Sequence, residues 1–189
     1  MRPPPDRIET ARATLRKPRP GDAASAFAQW AGDPEVFRYL GNRAHETVEQ
    51  TRQQLDWDQA RWFKKIAFVW LIVPRGETDN VGMIELMPDP HPNDHRARLG
   101  FALARERWGQ GLMSEAAGEV VRIALESCGL WRIDAVCDVD NPGSARVMEK
   151  IGMRPEGRLA RYIVHPNAGA EPRDVLLYAR SFDHCLPHD

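Results

Sequence analysis

A chain of 189 residues, 42% hydrophobic and 28% charged, has the make-up of one globular domain able to bury a core without metal or disulfides. The formal net charge of -1 provides no global field for nucleic acid or an anionic membrane, and three cysteines (Cys128, Cys137, Cys185) do not make a disulfide framework. The opening MRPPPDRIET lacks the apolar stretch of a secretory signal, and the longest apolar run, Ile66 to Val73, is too short to span a bilayer, so a cytoplasmic protein is expected.

Met1 to Asp6 is proline-rich and reads as a loose tail, as do residues 183–189 at the other end. A short strand is predicted at Ala13 to Leu15. A helix starting near Asp22 follows, with Ala23, Ala26, Phe27 and Trp30 at helical spacing. Pro34 to Leu40 reads as a short helix stopped by Gly41, and Thr47 to Phe63 as a longer amphipathic one. The period then changes. Ile66 to Val73, Val81 to Met87 and Arg96 to Leu103 read as three strands, the first two forming a hairpin across Pro74-Arg75-Gly76. Helical spacing returns from Gly109 to Cys128. Arg132 to Asp138 is a buried strand, Pro142 to Lys150 a helix stopped by a left-handed Gly152, and Arg158 to Val164 and Arg173 to Phe182 are the last strands. This order predicts one mixed α/β sheet, with no repeats and no linker marking a second domain.

The chemistry centres on Arg107-Trp108-Gly109-Gln110-Gly111-Leu112-Met113-Ser114, between the third of those strands and the long helix. Two glycines in a tight turn expose backbone amides, and the following helix adds its unpaired N–H groups and positive dipole end, which together suit phosphate oxygens. Taken alone, the turn reads first as an ordinary strand-to-helix connection, since short glycine motifs are common. Asp140-Asn141-Pro142-Gly143-Ser144 opens the next helix, where Asn141 and Ser144 also suit plain capping.

These segments in order, LGFAL, RERWGQGLMSEA and DVDNPGSARVMEKIGM, closely resemble the GNAT superfamily of N-acetyltransferases. IETARATLRKPRPGD, WAGDPEVFRYLG and EPRDVLLYARSF resemble, more narrowly, its RimJ/RimL-type branch, which acetylates ribosomal-protein N-termini. The resemblance implies the GNAT fold, with a mostly antiparallel sheet of about seven strands splayed at the coenzyme site and helices on both faces. It implies acetyl-CoA as co-substrate, no metal, an amine acceptor, and room for a homodimer. By the same resemblance, Phe101, Ala102 and Leu103 would pair with the pantetheine arm, and the loop from Trp108 through Gly109, Gln110, Gly111, Leu112 and Met113 to Ser114 would hold the pyrophosphate. Asn141 would bond the pantetheine arm, Lys150 would contact the coenzyme, and Ser144 would lie near the thioester sulfur. Many relatives carry a tyrosine acid seven residues after the asparagine. Here that residue is Met148, which moves the proton-donor role to Ser144.

Glu85 is the first carboxylate candidate for a base and Asp138 the second, each equally readable as an ordinary strand residue. Trp30, Asp33, Glu35, Arg38 and Tyr39 are expected along the acceptor pocket with Tyr162 opposite, and Met83 and Met87 as an apolar wall. Arg98 stands where many relatives have an acid and would favour an acidic acceptor. His91 and His95 lie in or beside one loop, while His184, Cys185 and His188 form a tail cluster; no converging metal ligands result. Two rivals remain. A dinucleotide-binding oxidoreductase would use Gly109-x-Gly111 with Asp134 downstream, but Ser114 replaces the third glycine and no parallel βαβ repeat precedes it. A non-catalytic acyl-CoA-binding protein would keep the fold and dispense with the missing tyrosine.

Overall fold

The computed structural model describes residues 1–90 and 95–182. Its eight strands are β1 (Arg7–Glu9), β2 (Ala13–Arg16), β3 (Phe68–Pro74), β4 (Gly82–Pro88), β5 (Arg96–Leu103), β6 (Arg132–Asp138), β7 (Arg154–Val164) and β8 (Pro172–Ser181). They form one sheet in the order β1-β2-β3-β4-β5-β6-β8-β7. Every neighbouring pair is antiparallel except β5 and β6. The parallel pair follows from the connection between them, a long helix that carries the chain back to the start of the sheet.

The sheet is covered on both faces because β3, whose sequence is FVWLIVP, has no polar side to give to water. On one face lies α2 (Val48–Phe63), capped where Thr47 Oγ1 accepts from Gln50 N at 3.2 Å. The other face is closed by α3 (Leu112–Glu126) and α4 (Pro142–Lys150). Leu112, Met113, Ala116, Ala117, Val120, Val121, Ala124 and Leu125 form the buried stripe of α3. Gly118 of α3 faces Ile151, just past the end of α4, where a Cβ would make an ordinary contact at 3.6 Å. Gly152, with φ +80°, ends α4 as expected.

Four expectations change. The helix from Asp22 is a single α turn, α1 (Ala23–Ala26), running into a π-helical turn at Phe27–Ala31, where Gly32 N donates to Phe27 O at 3.1 Å. Pro34 to Leu40 is a run of turns, not a helix. Phe37 is drawn into the core, and its carbonyl accepts from Asn167 Nδ2 at 2.9 Å, so a bond from outside holds the loop. A segment this short has little nucleation strength of its own to resist that. A further strand, β1, pairs with β2 ahead of the expected start of the sheet, burying only Ile8. Met1 to Asp6 makes defined contacts: Pro4 is buried, Arg2 N donates to Cys128 O at 2.9 Å, and Trp70 Nε1 donates to Pro5 O at 3.0 Å. The tail cluster of His184, Cys185 and His188, and likewise His91, lie outside the described residues.

Candidate active site

β5 and β6 pair only at Arg96–Arg132, Ala97–Ile133 and Arg98–Asp134, and beyond that point the two strands diverge. Strand alternation determines which backbone groups face the gap. Ala104 N donates to Val81 O, so even-numbered residues of β5 face β4 and odd-numbered ones face β6. Val139 N donates to Asp174 O, so the even-numbered residues of β6 face β5. Phe101 and Leu103 therefore present backbone groups from one bank, Val136 and Asp138 from the other. Two of these are occupied: Leu103 O accepts from Trp108 Nε1 at 2.7 Å, and Asp138 O accepts from Asn141 N at 2.9 Å. The remainder form an edge against which an extended diamide chain can pair as a strand would. Ala102 lies between them, its Cα partner being Met83 on β4.

The gap opens toward the glycine turn. Gly109 and Gly111 have φ of +73° and +78°, and a Cβ at Gly109 would meet nothing within 4 Å. The first intrahelical bond of α3 is Glu115 N to Gly111 O at 3.1 Å, which leaves the amides ahead of it without helical acceptors. Leu112 and Met113 turn their side chains into the core, while Trp108 and Gln110 are exposed beside the loop backbone and Ser114 is half-buried. Gln110 spends its side-chain amide on Glu106 O at 2.6 Å. The turn has room, free donors and a helix N-terminus, which fits a diphosphate. Sequence reasoning missed Arg12, which donates to Gln110 O at 2.8 Å from 98 positions away, with no local signal.

Asn141 caps α4 by accepting from Ser144 N at 3.2 Å, a bond that does not use its Nδ2 donors. Ser144 is half-buried in the first turn of α4. Met148 is wholly inside the core. Lys150 is exposed in the last turn of α4, where its charge complements the helix dipole.

Register places Met83, Glu85 and Met87 of β4 on one face with Arg98, Gly100 and Ala102 of β5, the face covered by α2. Glu85 is half-buried over Gly100, and its carboxylate is ion-paired to Arg61 of α2, which also holds Asp58. Burial raises the Glu85 pKa, and Arg61 offsets only part of that rise. Arg98 donates to Tyr162 Oη at 3.2 Å and lies 3.5 Å from Asp134, so it is shared between neighbours. Tyr162 reaches it from a part of β7 where the register shifts between Leu159 and Ile163.

At the end of β6, Asp138 is buried and receives Arg173 through two hydrogen bonds of 2.6 and 2.9 Å. His165, also buried, brings Nε2 to 3.4 Å from the same carboxylate, and Tyr39 packs edge-on against the His165 ring. Arg38 and Arg173 flank Tyr39, at 5.4 and 6.0 Å from its ring. Asp33 is bound by Arg105 Nε at 2.5 Å, and Glu35 lies 3.5 Å from Arg38 on the surface. Trp30 is a correction: its indole donates to buried Asn80 at 2.8 Å and stacks on Phe37, so it belongs to the core and not to a pocket wall. Its helical spacing had signalled burial, and the core claims it.

Among the described residues no three His, Cys, Asp or Glu side chains form a metal-binding group, and no helix is long and apolar enough to cross a membrane. A family model described as an acetyltransferase (GNAT) domain matches residues 12–154. The chain is 32% identical over 174 residues to an uncharacterized N-acetyltransferase, YoaA, of Bacillus subtilis, covering 91% of this chain and 94% of that protein. Its fold matches a GNAT-family acetyltransferase from Bacillus anthracis at a TM-score of 0.79 and 28% identity, over 93% of this chain and 98% of that one. It also matches RimJ of Mycobacterium smegmatis, solved with a CoA disulfide, at a TM-score of 0.83 and 23% identity, over 100% and 93% of the two chains.

Proposed function

Since the chain belongs to the GNAT acetyltransferase family, we propose that it transfers acetyl from acetyl-CoA to an amine of low pKa, foremost a peptide or protein N-terminal α-amine. The observation that carries this reading is the gap between β5 and β6 running into a glycine turn with left-handed residues at Gly109 and Gly111. Bound acetyl-CoA supplies an acetyl thioester, whose carbonyl carbon accepts the amine lone pair as the C–S bond breaks and the sulfur leaves with its electrons.

The protein's share is to position, to accept a proton and to stabilise charge. Phe101 and Leu103 offer strand-like pairing to the pantetheine arm, Asn141 Nδ2 offers a further donor, and the amides from Gly109 to Met113 hold the diphosphate. Ser144, at the positive end of α4, donates a hydrogen bond that stabilises the departing thiolate, which takes its proton from solvent on release. Glu85 receives the amine proton. Its carboxylate is held by Arg61, which offsets part of the rise that burial gives its pKa, and the other carboxylates on that face are also committed, Asp134 to Arg98 and Arg132, and Asp138 to Arg173.

Such a site suits an amine that arrives partly neutral. At pH 7 an α-amine is roughly 10–15% neutral, whereas a lysine is neutral only about 0.04% of the time. Arg38, Tyr39, Arg98 and Tyr162 line the side from which the acceptor enters, and their two arginines favour an acceptor with acidic residues near its end.

The test measures thiol release from acetyl-CoA with a free-N-terminal peptide, its Nα-blocked counterpart containing lysine, and small amines. Turnover confined to the free peptide supports the reading, and turnover confined to small amines removes the peptide from it. Coenzyme binding without turnover on any amine would make this a non-catalytic binding protein. With the preferred acceptor, Ser144→Ala is expected to lower kcat by about 100-fold; an unchanged kcat would remove Ser144 from the mechanism.

A further inference from the structure

Arg12 lies in the turn between β1 and β2, far in sequence from the glycine loop, yet three of its groups are engaged there. Nη1 donates to Gln110 O at 2.8 Å, Nε to Glu115 Oε2 at 2.6 Å, and the backbone N to Glu115 Oε1 at 2.7 Å. Its Nη2 lies 3.5 Å from where a Cβ on Gly111 would stand. The guanidinium is thus anchored to the first turn of α3 and spans back to the loop carbonyl immediately before it.

In a trans peptide unit the C=O and the N–H point in opposite directions, and the described backbone contains no cis bond. Drawing the Gln110 carbonyl toward Arg12 therefore turns the Gly111 N–H the other way. The same arginine neutralises Glu115, whose carboxylate would otherwise oppose an anion at the helix start. Burial alone would raise the Glu115 pKa, but hydrogen bonds from Arg12 and Thr10 together more than offset this and bring it below its ordinary value.

We propose that Arg12 is a positioning residue for the coenzyme: by holding Gln110 O and Glu115 together, it fixes the Gln110–Gly111 peptide with its N–H aimed at the diphosphate. The inference rests on the reading of the glycine turn as the diphosphate cradle. The role needs the fork of a guanidinium, which a lysine cannot reproduce.

Calorimetric titration with CoA, dephospho-CoA and pantetheine tests this without knowledge of the acceptor. Arg12→Gln and Arg12→Lys should each weaken CoA and dephospho-CoA by about tenfold and leave pantetheine within about twofold, since one charge-assisted bond is lost at the diphosphate alone. Wild-type CoA affinity in Arg12→Lys would mean that charge alone suffices, and would overturn the positioning role. A loss confined to CoA would assign Arg12 to the 3′-phosphate, and an equal loss on pantetheine would mark general damage; either overturns it. If the Arg12 variants do not fold, Glu115→Ala unanchors the guanidinium from the other side and carries the same expectation and the same overturning results. A wild-type protein that binds CoA no better than pantetheine would instead fail the cradle reading, and this inference with it.

Discussion

Asp138 ends β6 with its side chain inside the protein, and what keeps it charged there is Arg173. Hydrogen bonds from Arg173, working against burial, hold its carboxyl below the ordinary value of 3.8, with a further contribution from His165. A carboxyl with a lowered folded-state pKa contributes stability that is present in full above its unfolded value and is lost as pH falls through the folded one. Asp138→Asn should therefore flatten the fall of Tm with pH between about pH 5 and pH 2. If the slope in acid is unchanged, other carboxyls control that limb. The sequence makes Asp138 visible as a carboxylate at a strand end. Its partners are not visible, because Arg173 and His165 come from the far side of a hairpin, 35 and 27 positions later. The same holds for Glu85, legible as a strand carboxylate, with Arg61 as a partner that only the packing of α2 reveals.

Elements with a strong period were legible, and those shaped by outside contacts were not. The buried stripe of α3 and the all-apolar β3 declare themselves in sequence because burial dictates every position. The helical spacing through Trp30 left no mark of the π-helical turn at Phe27–Ala31, and the turns after Pro34 have no such period, since the core pulls on Trp30 and Phe37 singly. The glycine turn was legible for its φ requirement, whereas Gly82 drew no notice. Yet β4 and β5 come together so closely there that a Cβ on Gly82 would stand 2.4 Å from Ala102 O and 3.1 Å from Leu103 Cα. Backbone cannot rotate aside as a side chain does, so Gly82→Ala must push β5 away from β4 beside Leu103. The expected cost is about 2 kcal/mol of stability by urea unfolding, together with weaker coenzyme binding. A variant as stable as wild type would show that β5 moves freely there.

At the scale of the molecule, strand order could not be read, because pairing between distant segments leaves no local mark; that β6 lies beside β5, with β8 between β6 and β7, is a product of topology. The result is two half-sheets, β1 to β5 and β6 to β8, sharing only three residue pairs between β5 and β6. A pantetheine arm bonded to both banks would act as a missing strand between them. Amide hydrogen exchange at Phe101, Leu103, Val136 and Asp138 should slow when CoA binds, while β3 stays as it was. No slowing at these amides would mean that the arm does not bridge the banks. A coenzyme that bridged this short seam would also hold the folded form by mass action, so a chain short of donor is expected to be cut sooner by a protease than one saturated with it.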